Sequence, residues 1–531
     1  MGIEGPGRTA GHLSEKLNGI SSNNLHNTCM FVPILEVPTL ELPELELPKL
    51  VLYFHCMRGQ KPTKPIELFD RDQEWDTLNE LWASERSELA FVLGRRRVGK
   101  SYLLSRFARD TGGIYYQATR RTEAEQIATL SRVIGDRFDD AALRQGVGLP
   151  DWERLLGYLA QRAGGERLLV VLDEFPYLVD SAPALPSVLQ AWLDHSAPST
   201  RIKLVLSGSH ITAMRQLEGA DQPLYGRRTR RLVVAPFGVR DIAAFTPAYA
   251  PQERLIIYGA LGGLPGHLAL VEPAKDLATN ASALLLDPSG RLVDEAQHML
   301  DAFLADAVVH YSIVEAIATG DQTWKGITNR TGRAGGALHR AMDWLVAMEV
   351  VERVTPITEK RPDRSKRTLY RIADPYVAFW HRFVAPLVAV GSIGLVDARR
   401  LWDSAILPRL DDYMGGVFQQ ACRQAVRTGG LDLPFASVRV GEWWDSGSRE
   451  QIDMAALDDD GGLFAAACKW GEATLQDLAT LERRAGLLAA ELGGIRRTYV
   501  ALFSARGAFD DDVIAARDAG RVLCFTGADL T

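Results

Sequence analysis

The string GRRRVGKS, from Gly94 to Ser101, sets two glycines, a lysine and a hydroxyl at the spacing that phosphate binding requires. Gly94 and Gly99 let the backbone curl so that several N–H groups point at one anion. The apolar run Leu89–Leu93 precedes the string and the helical pattern YLLSRFARD follows it, so a helix N-terminus adds its partial positive charge. Lys100 would then reach the β- and γ-phosphates of ATP, and the Ser101 hydroxyl would ligate Mg²⁺. A second string, LLVVLDEF from Leu168 to Phe175, ends five aliphatic residues in Asp173 and Glu174. Two carboxylates at the C-terminal end of a buried strand stand where open α/β sheets bind ligands. Asp173 would hold Mg²⁺, directly or through water, and Glu174 would polarise the attacking water as general base.

Two further stretches offer groups for the same reaction. The run KLVLS ends in Ser207-Gly208-Ser209, and either serine would orient the water or touch the γ-phosphate. The bland alternative is a strand-ending turn. Downstream, LYGRRTRR supplies Arg227, Arg228, Arg230 and Arg231. One guanidinium, Arg228 first among them, would stabilise charge in phosphoryl transfer, unless the loop is simply solvated.

Positioning these groups requires strands alternating with helices. Short apolar runs at Leu89–Leu93, Gly113–Ala118, Leu168–Leu172, Lys203–Ser207 and Arg231–Ala235 read as buried parallel strands. Longer amphipathic stretches separate them, which predicts an α/β domain with helices on both faces over residues 66–236. Residues 1–60 differ: an E-L-P near-repeat with regular prolines predicts an extended or disordered tail. Met57 stands just before the globular patterning starts, so translation from that residue is an alternative beginning. Residues 237–305 read as a helical lid region broken at GALGGLPGHL. Residues 306–374 carry three helical patterns followed by VERVTPIT and TLYRIA, a β-pair, which describes a winged helix. Residues 375–531 begin helical and then return to strand–helix alternation around RVGEWWD, QIDMAAL, LFAAACKW and TYVALF.

Composition narrows the setting. The chain has 531 residues, enough for two to four domains, with 47% hydrophobic and 24% charged residues. A net charge of −7 argues against general coating of nucleic acid, so any such contact is local. Five scattered cysteines, with no CxxC spacing, argue against a disulfide framework and a zinc site and for a reducing compartment. No run approaches the ~18 apolar residues that a spanning helix needs. The expected location is cytoplasmic, with no membrane partner.

With these motifs in hand, the chain resembles the archaeal and bacterial ATPases that join a STAND-like P-loop domain to a winged helix and a C-terminal PD-(D/E)XK nuclease-like domain. The matching stretches are FDRDQEWDTLNELW, GRRRVGKS, VVLDEFPYL, LVLSGSH, PLYGRRT, GALGGLPGHL, LYRIADPYVAFWHRFV and GEWWD…EQIDMAAL…CKW. The resemblance covers roughly residues 66–505. It implies a parallel sheet of strand order 5-1-4-3-2, and it implies that Gly263 and Pro265 form a Gly-x-Pro turn near the nucleotide base. From the residues alone those two are equally a helix break.

The resemblance also assigns the C-terminal polar residues. Asp453 fits the first acid of the nuclease pattern and Lys469 its lysine, but the glutamate positions are occupied by Ala467 and Gln419. A divalent ion held by one carboxylate and neutral groups binds weakly and activates water poorly. A degenerate nuclease fold is therefore expected. The alternatives are a site that borrows Glu450 or Glu442, or a plain pairing of Asp453 with Lys469.

From Asp321 to Arg371 there are eleven Lys/Arg against six Asp/Glu, with six of the basic residues in KRPDRSKRTLYR at the wing. A basic wing suits DNA phosphates, while the helix Ala334–Met348 exposes His339, Arg340 and Asp343, poor readers of base edges. DNA contact and docking, on a protein partner or a second copy, both remain open. The tryptophans Trp324, Trp344, Trp380, Trp443 and Trp444 read as core or interface residues. Three functions follow: an ATP-driven switch, an ATP-regulated Mg²⁺-dependent DNase, or a DNA-binding regulator with structural ATP. The missing carboxylates disfavour the second and Glu174 disfavours the third.

Overall fold

A computed structural model describes residues 61–301, 307–434 and 436–531. The expected tail over 1–60, with Met57, Cys29 and Cys56, lies outside the described residues. Strands β1 (Glu88–Leu93), β2 (Ile114–Gln117), β3 (Arg167–Asp173), β4 (Arg201–Gly208) and β5 (Arg230–Val233) form one sheet. Its order is β2-β3-β4-β1-β5 and every pair is parallel, which is the expected 5-1-4-3-2 order read from the other edge. β3 and β4 are buried along almost their whole length, as strands covered on both faces must be. Alternate residues of β1 feed two separate cores: Leu89, Phe91 and Leu93 on one face, Ala90 and Val92 on the other. Helices α1 (Asp72–Ala83) and α2 (Lys100–Asp110) pack on the second face, where Trp75 meets Phe107 edge-on at 5.1 Å. All C-terminal strand ends therefore open on one side of the domain.

Residues 237–305 are helical where described, centred on α3 (Pro251–Leu261). Then come α4 (Ala307–Ala318), α5 (Trp324–Thr331) and α6 (Gly336–Ala347), followed by the antiparallel pair β6 (Val351–Val354) and β7 (Leu369–Ile372). His339, Arg340 and Asp343 are exposed on α6, although the His339 ring rests 4.3 Å from that of Trp324. Trp380, Trp443 and Trp444 are buried, and Trp324 and Trp344 are half-buried.

The long helix α7 (Leu407–Arg427) leads into a second sheet of β8 (Arg439–Trp444), β9 (Gln451–Leu457), β10 (Gly462–Lys469), β11 (Arg497–Ser504) and β12 (Leu523–Thr526). Its order is β12-β11-β10-β9-β8. The first three strands form an antiparallel meander, and β10, β11 and β12 run parallel. Helix α8 (Leu475–Leu492) makes the β10-to-β11 crossover. The expected strand–helix alternation thus holds only for the second half, because a short polar turn suffices between antiparallel strands but not parallel ones. Among the described residues no helix is long and apolar enough to cross a membrane.

Candidate functional site

The loop Gly94–Gly99 leaves β1 and enters α2 through backbone that other residues would resist. A Cβ on Gly94 would stand 2.4 Å from the Val234 carbonyl oxygen, and Gly99 caps α2 at φ +93°. Lys100 is buried, and its Nζ donates to the carbonyl oxygens of Gly94 at 2.8 Å and Arg95 at 2.9 Å. Burial pushes its pKa down, against the opposing pull of Glu174 and Asp173. An ammonium parked on loop carbonyls is a cation held in reserve for an anion.

Asp173 is fully buried at the end of β3 and accepts three hydrogen bonds. Ser101 Oγ and Tyr115 Oη donate to its Oδ2 at 2.6 and 2.7 Å, and the Glu174 N–H donates to Oδ1 at 3.0 Å. Glu174 itself sits at φ +52°, ψ +44°, a strained conformation for a non-glycine residue and one found often at functional sites. Its Oε2 accepts from the Ser209 N–H at 3.1 Å and the Ser209 hydroxyl at 2.9 Å. Of the two serines considered, Ser209 is therefore the one at the carboxylate. Ser207 is buried and its hydroxyl finds no hydrogen-bond partner among the described residues. Arg228 is bonded to Glu218, and Arg227 makes a two-pronged pair with Asp194 at 2.8 Å. Neither arginine lines the phosphate loop.

A cavity of about 520 Å³ opens over the loop. Lys100, Ser101 and Glu174 line its polar end, and Phe69, Phe237, Phe245 and Pro265 its apolar end. The aromatic rings brace one another, Phe245 lying 5.4 Å from Phe69 and 5.7 Å from Phe237. The Arg71 guanidinium lies 4.3 Å over Phe237 and donates to the carbonyls of Ala235 at 2.8 Å and Val98 at 3.2 Å. Gly263 abuts Phe237: its own Cβ would stand 2.0 Å from the Phe237 oxygen. The Gly-x-Pro turn thus sits between Phe237 and the phosphate loop, and Pro265, which begins a short helix, lies 3.9 Å from where a Cβ on Gly99 would stand. Sequence reading passed over Tyr115 and these aromatics. Tyr115 lay inside a strand and Phe237 just beyond one, but Phe69 and Phe245 border helical turns, and rings meeting over 176 residues leave no local pattern.

Two loop arginines reach beyond the domain. Arg95 pairs with Asp374 at 2.8 Å with both side chains buried, and Arg97 pairs with Glu295 at 2.9 Å. Asp374 also caps the helix Pro375–Phe379 by accepting from the Val377 N–H at 3.2 Å.

A second cavity, of about 400 Å³, brings Asp453, Gln419, Ala467 and Lys469 together. Asp453 is bound by the Cys468 N–H at 2.9 Å, and burial raises its pKa. Lys469 pairs with Asp477 at 2.7 Å, so the alternative, a plain Asp453–Lys469 pair, is not formed. Glu450 is held by Arg483 and Arg484, whose hydrogen bonds lower its pKa to about 2. Glu442 is held by Arg371 and Arg423. Neither acid is free to complete a metal site, and no group of three metal-ligating side chains occurs among the described residues.

Comparison with known proteins agrees with this geometry. Residues 68–271 match a family described as an ATPase domain predominantly from Archaea, and residues 380–481 match a family of archaeal and bacterial proteins of unknown function. An uncharacterized protein of Methanocaldococcus jannaschii is 28% identical over 424 residues, covering 78% of this chain and 90% of that one. A Walker-type ATPase of Pyrococcus abyssi superposes with a TM-score of 0.48 at 23% identity, covering 61% of this chain and 99% of that one. The Aeropyrum pernix ORC2 protein, solved in ADPNP–ADP complexes, superposes at 0.42 with 16% identity, over 63% and 98% of the two chains. Residues 68–271 are therefore an ATPase domain, to which this chain adds a helical and mixed-sheet C-terminal half.

Proposed function

We propose that the chain is an ATP-hydrolysing switch in which the phosphate loop passes its nucleotide state to the C-terminal half. The buried Arg95–Asp374 pair carries this reading, because it ties the loop directly to the segment that follows the β6–β7 pair. On nucleotide arrival Lys100 exchanges the Gly94 and Arg95 carbonyls for phosphate oxygens, which releases the backbone of the residue that holds Asp374. Glu174 takes a proton from the attacking water while Ser209 holds its other side. The donor set of Ser101 and Asp173 fits Mg²⁺: the hydroxyl donates its hydrogen bond to the carboxylate and keeps its lone pairs for the metal. Mg²⁺, when bound with nucleotide, neutralises charge on the β- and γ-oxygens.

In this reading α4–α6 with β6 and β7 are a winged helix, and residues 375–531 are a nuclease-like fold without a complete metal site. The wing is a docking element. The Ile357 N–H donates to the Glu442 carbonyl at 2.7 Å, and Arg367 pairs with Glu359 at 2.8 Å and donates to the Trp444 carbonyl at 3.2 Å. Lys360, Arg361, Arg364 and Lys366 remain exposed at its tip and favour DNA phosphate as a second reading. Charge reversal at Arg361, Arg364 and Lys366 would then weaken DNA binding at all sequences and flatten its salt dependence. Unchanged binding at several salt concentrations removes that reading.

The switch is tested by hydrogen exchange on the Glu174→Gln chain with and without ATP. Protection at residues 374–384 is expected to change with ATP, and to stop changing in Glu174→Gln/Arg95→Met. Identical exchange in all states overturns the coupling.

A further inference from the structure

Tyr115 lies outside every motif considered above, yet its hydroxyl reaches the centre of the site. It stands on β2 opposite Val171 of β3, two residues before the level of Asp173. Strand alternation sends its neighbour Tyr116 to the other face, where Tyr116 bonds Gln126. Tyr115 Oη donates to Asp173 Oδ2 at 2.7 Å, the same oxygen that accepts from Ser101 Oγ at 2.6 Å. The other oxygen, Oδ1, is engaged by the Glu174 N–H at 3.0 Å. A fully buried carboxylate thus has its rotation fixed by three donors from α2, β2 and the residue that follows it.

We propose that Tyr115 is a positioning residue for Mg²⁺: it locks Asp173 so that Oδ2 keeps accepting from the Ser101 hydroxyl, whose lone pairs then face the metal. This rests on the nucleotide reading of the site given above. Without the tyrosine hydroxyl, Asp173 Oδ2 retains one donor and the carboxylate can rotate away from Ser101. Partners that orient metal ligands in this way change metal affinity by roughly 10–100-fold when removed. The effect belongs to the metal and not to the nucleotide, because Tyr115 does not line the cavity that Lys100 and Phe237 share.

The experiment is a titration of the full chain with a fluorescent ATP analogue, in EDTA and across a Mg²⁺ series, for wild type, Tyr115→Phe and Lys100→Ala. For Tyr115→Phe the EDTA affinity is expected within about twofold of wild type and the half-saturating Mg²⁺ concentration roughly 10-fold higher. Turnover should recover at high Mg²⁺. An unchanged Mg²⁺ dependence overturns the proposal. So does an equal loss in EDTA, or a lowered Tm, since either makes the hydroxyl merely structural. If wild type fails to bind, or Lys100→Ala binds as well as wild type, the nucleotide reading fails instead and the proposal falls with it.

Discussion

Glu174 adopts a backbone conformation that costs of order 1–3 kcal/mol for a non-glycine residue, and Ser209 is what its carboxylate reaches from there. Glu174→Gln should therefore keep ATP and lose turnover by roughly 10²–10⁴-fold, because the amide fits but accepts no proton. The two serines separate cleanly. Ser209→Ala removes a hydrogen bond to a charged group, and turnover should fall roughly 10-fold. Ser207→Ala removes only a buried hydroxyl without a partner among the described residues, so turnover should stay within about twofold. Steady-state phosphate release on the three variants checks all of this. His381 supplies a pH test. Burial between Tyr311 and Trp380 holds its pKa at about 4, below its ordinary 6.5, and its ring nitrogens have no partner among the described residues. The unfolded chain takes up that proton first, so stability contributed above about 6.5 is lost as pH falls through 4. The total is about 3 kcal/mol at most. His381→Phe should flatten this acid limb in urea unfolding measured from pH 7 to pH 4. An unchanged slope would mean the ring is solvated.

At the scale of elements, the edge strand β8 is where the segment between β6 and β7 meets the C-terminal sheet. Glu442 is buried on β8 and takes Arg423 at 2.9 Å together with Arg371 of β7. Removing one member of such a cluster leaves buried charge uncompensated, at a typical cost of 3–5 kcal/mol. Glu442→Gln should lower unfolding free energy by about 3 kcal/mol in urea titration. ATP affinity should not change, since the nucleotide cavity shares no residue with this cluster. Full stability in the variant would show that the two guanidiniums are solvated. The six basic residues of KRPDRSKRTLYR looked like one patch in the sequence. The structure divides them by direction: Arg367 and Arg371 turn toward β8 and its neighbours, while the other four face solvent.

At the scale of the molecule, the two cavities that gather charged side chains differ in what those side chains are free to do. The phosphate loop keeps Lys100, Ser101 and Asp173 together, whereas the carboxylates of the C-terminal cavity are each engaged elsewhere: Asp453 by the Cys468 N–H, Asp477 by Lys469, Asp411 by Arg506 and Asp412 by Arg382. Wild type should show no metal-dependent cleavage of plasmid or linear DNA, with or without ATP. Ala467→Glu should raise Mg²⁺ affinity there, because it returns a carboxylate to a β10 position lining the cavity with Asp453 and Lys469. Calorimetric Mg²⁺ titration checks this. Cleavage by wild type that disappears in Asp453→Ala would refute the incomplete-site reading.

The sequence by itself determined the phosphate loop, the Asp173-Glu174 strand end, and the strand positions and order of the first sheet. These depend on spacing within a few residues: glycines that let a loop curl, apolar runs that must be buried, carboxylates at a strand tip. Tertiary structure alone decided which serine meets Glu174, that Tyr115 bonds Asp173, and that Arg228 pairs with Glu218. It also decided that Arg95 reaches Asp374, 279 residues on. Such choices turn on side-chain direction and on which charge lies within about 3 Å after folding, and a hydroxyl or guanidinium carries the same letter whichever way it points.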